Sequence, residues 1–165
     1  MMVTLTGFMG SGKTTVGKVL ADFLGCPFMD LDELIVKKAG KSIPDIFAQD
    51  GEAAFRQLEA RILRQQVEKY AESTVVLALG GGAVLAPASA ALLHEKTVCI
   101  YLRASLDTLL ARLAGETAGR PLADASLADR LASREPIYEE TAHVTIDTDG
   151  LSPDEVADEI IISAL

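Results

Sequence analysis

The hydrophobic pattern of the chain alternates between two kinds of segment. Five short, largely apolar runs of four to seven residues are separated by longer stretches in which apolar positions recur every three or four residues. Short apolar runs rich in β-branched residues are typical of strands, and the second spacing is typical of helices with one buried face. We therefore predict strands at 3–6, 26–32, 73–79, 97–102 and 143–147.

Helices are predicted between these strands, and several of their ends have characteristic residues. Gly25 and Gly40 are expected to end helices, and Ser42 and Ser152 to cap helices at the N-terminus. The predicted helices are 13–24, 31–39, a short one within 42–51, 52–70, 87–93, 106–113, 127–141 and a last one that follows Ser152. Alternating strands and helices predict a three-layer α/β/α domain, with helices on both faces of a mainly parallel sheet.

Three segments rich in glycine or aspartate lie at the carboxyl ends of predicted strands. They are 7–14, 30–32 and 80–82. In an open parallel sheet, ligands bind at the carboxyl ends of the strands. We therefore expect these three segments to converge on one site.

The first of these segments matches the phosphate-binding pattern G-x-x-x-x-G-K-[ST] completely, from Gly7 to Thr14. Its glycines let backbone N–H groups turn toward an anion, and the helix that follows adds the positive end of its dipole. Lys13 is expected to reach the β- and γ-phosphates of a nucleotide, and the Thr14 hydroxyl to bind Mg²⁺. The alternative is a glycine-rich turn without a ligand, but the strand before it and the helix after it favour phosphate binding.

Asp30 and Asp32 are the nearest candidates for the carboxylates that a phosphate loop needs, because the strand at 73–79 ends in glycines instead. Residues two apart in an extended segment face the same way, so both carboxylates are expected to point at the site. One would serve Mg²⁺ and the other a substrate hydroxyl. The alternative is that an aspartate here only caps the following helix.

Arginines and the glycine triplet 80–82 complete the candidate site. Arg120 lies in the polar, Gly/Pro-punctuated segment 114–125, which predicts a mobile loop able to close on phosphate. Arg56 and Arg134 suit bidentate pairing with a carboxylate. The triplet admits close approach of a ligand to the backbone. The alternatives are solvated surface arginines and an ordinary turn, and the residues alone do not show that these groups converge.

Composition limits the partners that we expect. The net charge of −9 argues against nucleic acid or a membrane surface as a partner, although a local group of arginines would still bind a small anion. Cys26 and Cys99 have no metal-ligand or disulfide spacing and are expected to be buried free thiols. No signal peptide or apolar run long enough to cross a bilayer is expected. We predict a cytoplasmic monomer.

Taken together, the motifs resemble those of the shikimate kinases over essentially the whole chain. The matching segments are GFMGSGKTTVGKVLA, FMDLDELI, IPDIFAQDGEAAFRQLE, LALGGGAVL, GRPL and SREPIYEETA. Many families share the phosphate loop, whereas F-R-x-x-E combined with the glycine triplet, R-P-L and R-x-x-x-Y is much more specific. The resemblance implies one domain over 1–165 with a fold like that of the nucleoside monophosphate kinases. It would have a five-stranded parallel sheet, a lid at about 114–125 and a shikimate-binding region at about 31–60.

The resemblance also implies a reaction and the residues that perform it. ATP would transfer its γ-phosphoryl group to the 3-hydroxyl of shikimate, giving shikimate 3-phosphate and ADP on the route to chorismate and the aromatic amino acids. Thr14 would bind Mg²⁺, with Asp30 reached through water, and Lys13, Asp32 and Arg120 would be catalytic. The implied ATP-binding residues are Gly10, Ser11, Gly12, Lys13, Thr14, Thr15, Arg120 and, with a one-residue gap in the match, Arg112. The implied shikimate-binding residues are Asp32, Arg56, Gly80, Gly81, Gly82 and Arg134, of which the two arginines would bind the carboxylate.

Two other functions remain open at this stage. The first is another small kinase with a phosphate loop, acting on gluconate or on a nucleotide, because a sugar acid also has a carboxylate and hydroxyls. The second is a non-catalytic nucleotide-binding module that kept the fold. A substrate panel would separate the first from a shikimate kinase, and binding of ATP without turnover would favour the second.

Overall fold

The computed structural model of the protein describes residues 1–116 and 125–165. The described residues form a five-stranded sheet in the order β2-β3-β1-β4-β5, and all its neighbouring strands are parallel. The strands are β1 (Met2–Thr6), β2 (Phe28–Asp30), β3 (Val75–Ala78), β4 (Val98–Arg103) and β5 (Val144–Asp147). The predicted α/β class with a parallel sheet is confirmed.

Helices connect the strands at the positions that the hydrophobic spacing predicts. They are α1 (Lys13–Leu24), α2 (Leu31–Ala39), α3 (Ile43–Asp50), α4 (Glu52–Lys69), α5 (Pro87–Lys96), α6 (Leu106–Glu116), α7 (Ala125–Thr141) and α8 (Pro153–Ala164), with a 3₁₀ turn at Ala83–Leu85. The prediction of a strand over 26–32 is wrong at its end, because the chain enters α2 directly after Asp30. The predicted caps at Gly25, Gly40, Ser42 and Ser152 are confirmed.

Successive residues of the central strands face opposite sides of the sheet and build two separate cores. Val3 and Leu5 of β1 belong to the core that packs against α1 and α8. Met2, on the opposite face, belongs to a larger core with residues of α2, α4, α5 and α7. Because both faces are covered, β1 and β3 are buried along their whole length. The result is the predicted three-layer arrangement.

Three further predictions concern the cysteines, membrane-spanning helices and the lid. The two thiols are free, but only Cys99 is buried, whereas Cys26 is half-buried. Within the described residues, no helix combines the length and the apolar character needed to cross a bilayer. Arg120 and most of the predicted lid at 114–125 lie outside the described residues.

Candidate active site

The phosphate-binding pattern forms a loop between β1 and α1. Gly10 and Gly12 have φ values of 83° and 95°, which favour glycine. A Cβ on Gly7 would lie 2.7 Å from the carbonyl oxygen of Leu102, so space also requires glycine there. Gly12 is the N-cap of α1 and provides no side-chain cap. The first amide groups of α1 are therefore available to an anion at the positive end of the helix.

Lys13 lies folded against its own loop. Its Nζ donates hydrogen bonds to the carbonyl oxygens of Gly7 at 2.7 Å and Phe8 at 3.1 Å. Burial lowers the pKa of Lys13 to about 8, although the carboxylates of Asp32 and Asp30 act in the opposite direction. The two carboxylates therefore offset only part of the cost of burying the charged ammonium group. Negative charge placed beside it would stabilise the protonated form.

Asp30 combines the two roles that the sequence analysis set against each other. Its Oδ1 accepts the backbone N–H groups of Asp32 at 2.9 Å and Glu33 at 3.3 Å, so it caps α2. Its Oδ2 accepts a hydrogen bond from the Thr14 hydroxyl at 3.2 Å. The cap thus fixes the carboxylate against the end of the phosphate loop. Thr14 and Asp30 present two oxygen atoms at one place, which is the ligand chemistry that Mg²⁺ prefers.

Asp32 reaches the site by a different geometry from the one that was expected. It lies in the first turn of α2 and not in an extended strand, so the argument from alternating residues is wrong for this pair. Its carboxylate still lies at the site, because a Cβ on Gly80 would be 2.8 Å from its Oδ1. Burial raises the pKa of Asp32, and the nearby Asp30 raises it further, while Lys13 and Arg56 lower it. Asp32 is therefore a carboxylate of increased basicity beside the phosphate loop.

The glycine triplet forms the surface on which three ionic side chains lie. A Cβ on Gly80 would meet Asp32, a Cβ on Gly81 would lie 3.6 Å from Nη1 of Arg134, and a Cβ on Gly82 would lie 2.5 Å from the guanidinium of Arg56. None of the three has a positive φ. The structure therefore requires glycine here for close packing of these side chains and not for backbone conformation.

Arg56 is held in place by carboxylates of its own helix. Its Nη1 donates to Oε1 of Glu59 at 2.9 Å, and its Nε lies 3.7 Å from Glu52 on the preceding turn. Glu59 is 3% exposed, and among the described residues its Oε2 has no hydrogen-bond partner. Burial raises the pKa of Glu59, and the charge and hydrogen bond of Arg56 lower it. Glu59 was not among the predicted site residues, although its place three residues after Arg56 in F-R-x-x-E was the available signal.

Helix α7 brings Arg134 and Tyr138 to the other side of the triplet. The guanidinium of Arg134 lies 5.9 Å from the ring centroid of Phe8 in the phosphate loop. Tyr138 packs on Tyr101, at a centroid distance of 5.0 Å. Its hydroxyl also donates a hydrogen bond to the carbonyl oxygen of Gly81, a contact that the sequence analysis did not anticipate.

Two neighbouring cavities open at this end of the sheet. The first, which we call the loop cavity, is lined by Gly10, Ser11, Gly12, Lys13, Thr14, Thr15, Val16, Arg112, Thr148, Leu151, Pro153 and Val156. The second, the arginine cavity, is lined by Met9, Asp32, Ile43, Phe47, Glu52, Phe55, Arg56, Glu59, Gly80, Gly81, Gly82, Arg130 and Arg134. The loop lies between them, because a Cβ on Gly81 would be 3.6 Å from the Gly7 carbonyl oxygen.

The division between the cavities matches the division of the candidate residues. Every candidate ATP-binding residue within the described chain lines the loop cavity, including Arg112, whose Nη1 donates to the Gly10 carbonyl at 3.1 Å. Every candidate shikimate-binding residue lines the arginine cavity. The convergence of strand ends is therefore confirmed, while the role of each residue stays a prediction. Arg130 also lines the arginine cavity, although no sequence motif singles it out.

Comparisons with known proteins agree with this geometry. A family model described as shikimate kinase matches residues 9–164. A shikimate kinase of Enterococcus faecalis is 42% identical over 164 residues, covering 96% of this chain and 95% of the relative. The structure of a shikimate kinase from Acinetobacter baumannii in complex with shikimate superposes with a TM-score of 0.85 at 34% identity, covering 97% of this chain and 90% of that one. The structure of a shikimate kinase from Aquifex aeolicus superposes with a TM-score of 0.87 at 33% identity, covering 99% of this chain and 95% of that one. The chain belongs to the shikimate kinase family.

Proposed function

We propose that this protein transfers the γ-phosphoryl group of ATP to the 3-hydroxyl of shikimate, giving shikimate 3-phosphate and ADP. The observation that supports this most directly is the pair of adjacent cavities. One is built around a phosphate-binding loop, the other contains two arginines suited to a carboxylate, and Asp32 and Lys13 lie where they meet. Phosphoryl transfer needs mainly this kind of positioning and charge neutralisation.

The loop cavity would bind ATP. Its backbone N–H groups and the positive end of α1 would hold the phosphates, and Lys13 would exchange its bonds to Gly7 and Phe8 for the γ-phosphate. The buried Ser11 hydroxyl, which has no hydrogen-bond partner among the described residues, is a further donor inside the loop. Arg112 and Pro153 line the part of the cavity where the adenine would lie.

Thr14 and Asp30 would hold Mg²⁺, directly and through water respectively. Magnesium sites in kinases commonly use one or two protein oxygens together with the nucleotide phosphates, and these two residues fit that pattern. The ion would neutralise charge on the transferred phosphoryl group. The chain's own contribution is to hold Asp30 rigidly through its helix-capping bonds.

The arginine cavity would bind shikimate. Arg56 and Arg134 would pair with its carboxylate from opposite sides, and the Gly81 backbone would contact the ring substituents. Asp32 would accept the proton of the 3-hydroxyl or orient that hydroxyl toward the phosphoryl group. Arg120 would reach ATP from the lid and offset the charge that develops during transfer. We also propose that the protein acts as a single-domain monomer in the cytoplasm, on the route to chorismate.

Coupled detection of ADP release tests this function. ATP and Mg²⁺ would be supplied with shikimate, quinate, gluconate or nucleoside monophosphates as acceptors. We expect ADP release with shikimate alone. Release with gluconate or a nucleotide instead would assign the protein to another kinase activity. ATP binding without release from any acceptor would favour a non-catalytic nucleotide-binding module.

A further inference from the structure

Arg130 lies at the arginine cavity on α7, one helical turn before Arg134. Residues four apart in a helix share a face, so the two guanidinium groups project toward the same region, and both side chains line the cavity. Arg134 is half-buried, whereas Arg130 is exposed. Arg130 therefore lies on the solvent side of the cavity.

The guanidinium of Arg130 is held by fewer carboxylates than that of Arg56 in the described part of the chain. Arg56 is paired with Glu59 and Glu52, whereas no ion pair of Arg130 occurs among the described residues. The cavity is lined by three carboxylates, Asp32, Glu52 and Glu59, and by three arginines including Arg130. Without Arg130, carboxylates would outnumber cations around a cavity whose ligand is an anion.

The protein as a whole also repels anions, since its net charge is −9. A local cation at the mouth of a cleft focuses the field and raises the rate at which an anion is captured. We propose that Arg130 accelerates capture of the anionic acceptor by electrostatic attraction and takes no part in the transfer step. This inference rests on the proposed function, because it assumes a carboxylate-bearing acceptor.

The test compares kcat/KM for shikimate at saturating ATP in Arg130→Gln, Arg130→Lys and Arg130→Glu. At an ionic strength of about 0.02 M, where charges act over roughly 20 Å, Arg130→Gln is expected to lower kcat/KM about threefold to sevenfold. That is the order of magnitude expected for a unit charge about 7 Å from another at a water-like to intermediate dielectric. Arg130→Lys keeps the charge and should retain most of the wild-type value, whereas Arg130→Glu should fall further than Arg130→Gln.

Arg64→Gln is the matched control. Arg64 is exposed on α4, lines neither cavity, and lies about 12 Å along the helix axis from Arg56 at 1.5 Å per residue. Arg64→Gln removes the same unit of positive charge, so its kcat/KM reports the effect of the net charge alone. At about 0.5 M salt, screening should bring Arg130→Gln close to wild type. The kcat and the KM for ATP should be unchanged in all Arg130 variants.

Three results would overturn the proposal. They are equal ratios of kcat/KM to wild type in Arg130→Gln and Arg64→Gln, a loss in Arg130→Gln that persists at high salt, and a loss that occurs in kcat. Glutamine is a good helix former at an exposed position, and circular dichroism would confirm that each variant is folded. Absence of wild-type turnover with shikimate would reject the proposed function itself, and normal wild-type turnover with equal ratios would reject only the role of Arg130.

Discussion

The hydroxyl of Tyr138 donates a hydrogen bond to the carbonyl oxygen of Gly81 at a distance of 2.5 Å. This contact joins α7, which holds Arg134, to the middle of the glycine triplet on which Arg134 lies. Tyr138 is fully buried, and burial raises its pKa, so the hydroxyl remains a donor at neutral pH. Tyr138 is therefore placed to position Arg134, one of the three arginines that line the arginine cavity.

Tyr138→Phe keeps the ring and removes this bond, together with the hydrogen bond between the Tyr138 hydroxyl and the Arg134 side chain. We expect the KM for shikimate to rise about threefold to tenfold, because the loss of a hydrogen bond worth about 0.5–1.5 kcal/mol loosens Arg134. The kcat and the KM for ATP should change by less than about twofold, since no α7 side chain that the structure describes lines the loop cavity. Steady-state kinetics with both substrates would measure this. Tyr70→Phe, outside both cavities, should leave both KM values unchanged, and an equal rise in the KM for ATP would contradict the positioning role.

The sequence could predict the parts of the site that follow from local rules. The short apolar runs were enough to predict the strands of the sheet. The phosphate loop was predictable because its glycines, Lys13 and Thr14 form one contiguous motif. Asp30 and Asp32 were assigned to the site, but on the assumption of an extended strand that the structure replaces with a helix start. The place of both residues at a strand end was sufficient, because every parallel strand ends at the same edge.

The remaining features depend on contacts between segments distant in the chain. The bond from Tyr138 to Gly81 joins residues 57 positions apart, and no local pattern indicates it. Glu59 was overlooked because a glutamate on a charged helix is normally solvated, whereas here it is 3% exposed. Arg130 gives no signal in the sequence that distinguishes it from a surface arginine, and only the shape of the arginine cavity does so.

Alanine substitutions in the glycine triplet should separate the roles of Asp32 and Arg56. Gly82→Ala would place a methyl group 2.5 Å from the Arg56 guanidinium, and Gly80→Ala would place one 2.8 Å from Oδ1 of Asp32. Both obstructed groups are ends of flexible side chains and can move, so the fold should tolerate either change. We expect Gly82→Ala to raise the KM for shikimate at least about tenfold, and Gly80→Ala to lower mainly kcat, by a similar factor.

Kinetics and thermal unfolding of the two variants, measured in parallel, test this separation. Gly150→Ala is unsuitable as a control because Gly150 has a φ of 75°. Ala90→Gly, on α5 and outside both cavities, is a suitable test of small changes remote from the site. If both triplet variants affected KM and kcat alike, Asp32 and Arg56 would not have separate roles.

Glu59→Gln should stabilise the protein and weaken acceptor binding. The pKa of Glu59 is raised by burial, so the folded state disfavours its ionised form. This cost is present above the folded pKa and disappears as pH falls below the unfolded value. We therefore expect a higher unfolding temperature than wild type at pH 7 and a smaller difference near pH 4. The KM for shikimate should rise about threefold to tenfold, because Arg56 loses its charged partner. A lower unfolding temperature at pH 7 would contradict this account.

Asp32→Asn should abolish most turnover while ATP still binds. Loss of a general base or orienting carboxylate costs about 10²–10⁴-fold in rate, and Asp32 lines the arginine cavity only. The raised pKa of Asp32 adds a pH test. Wild-type kcat/KM for shikimate should fall with decreasing pH at a higher pH than an ordinary aspartate would give, because the ionised form is required. Glu33→Gln removes the same charge one residue away on the exposed face of α2 and should retain both the rate and the acidic limb.

Nucleotide binding should take up a proton at Lys13. The pKa of Lys13 is lowered to about 8 by burial, and phosphate beside its Nζ would raise that pKa toward the ordinary value of about 10.4. Below pH 8, Lys13 is already protonated and no proton is exchanged. Above pH 8, the free protein must gain a proton to bind, so affinity for ATP should fall by up to about tenfold per pH unit.

Calorimetry at pH 9 in buffers of different ionisation enthalpy would detect uptake approaching one proton. Lys13→Met should abolish both this uptake and the transfer, whereas Lys18→Met, exposed on the same helix, should retain both; uptake that persisted in Lys13→Met would assign the proton to another group.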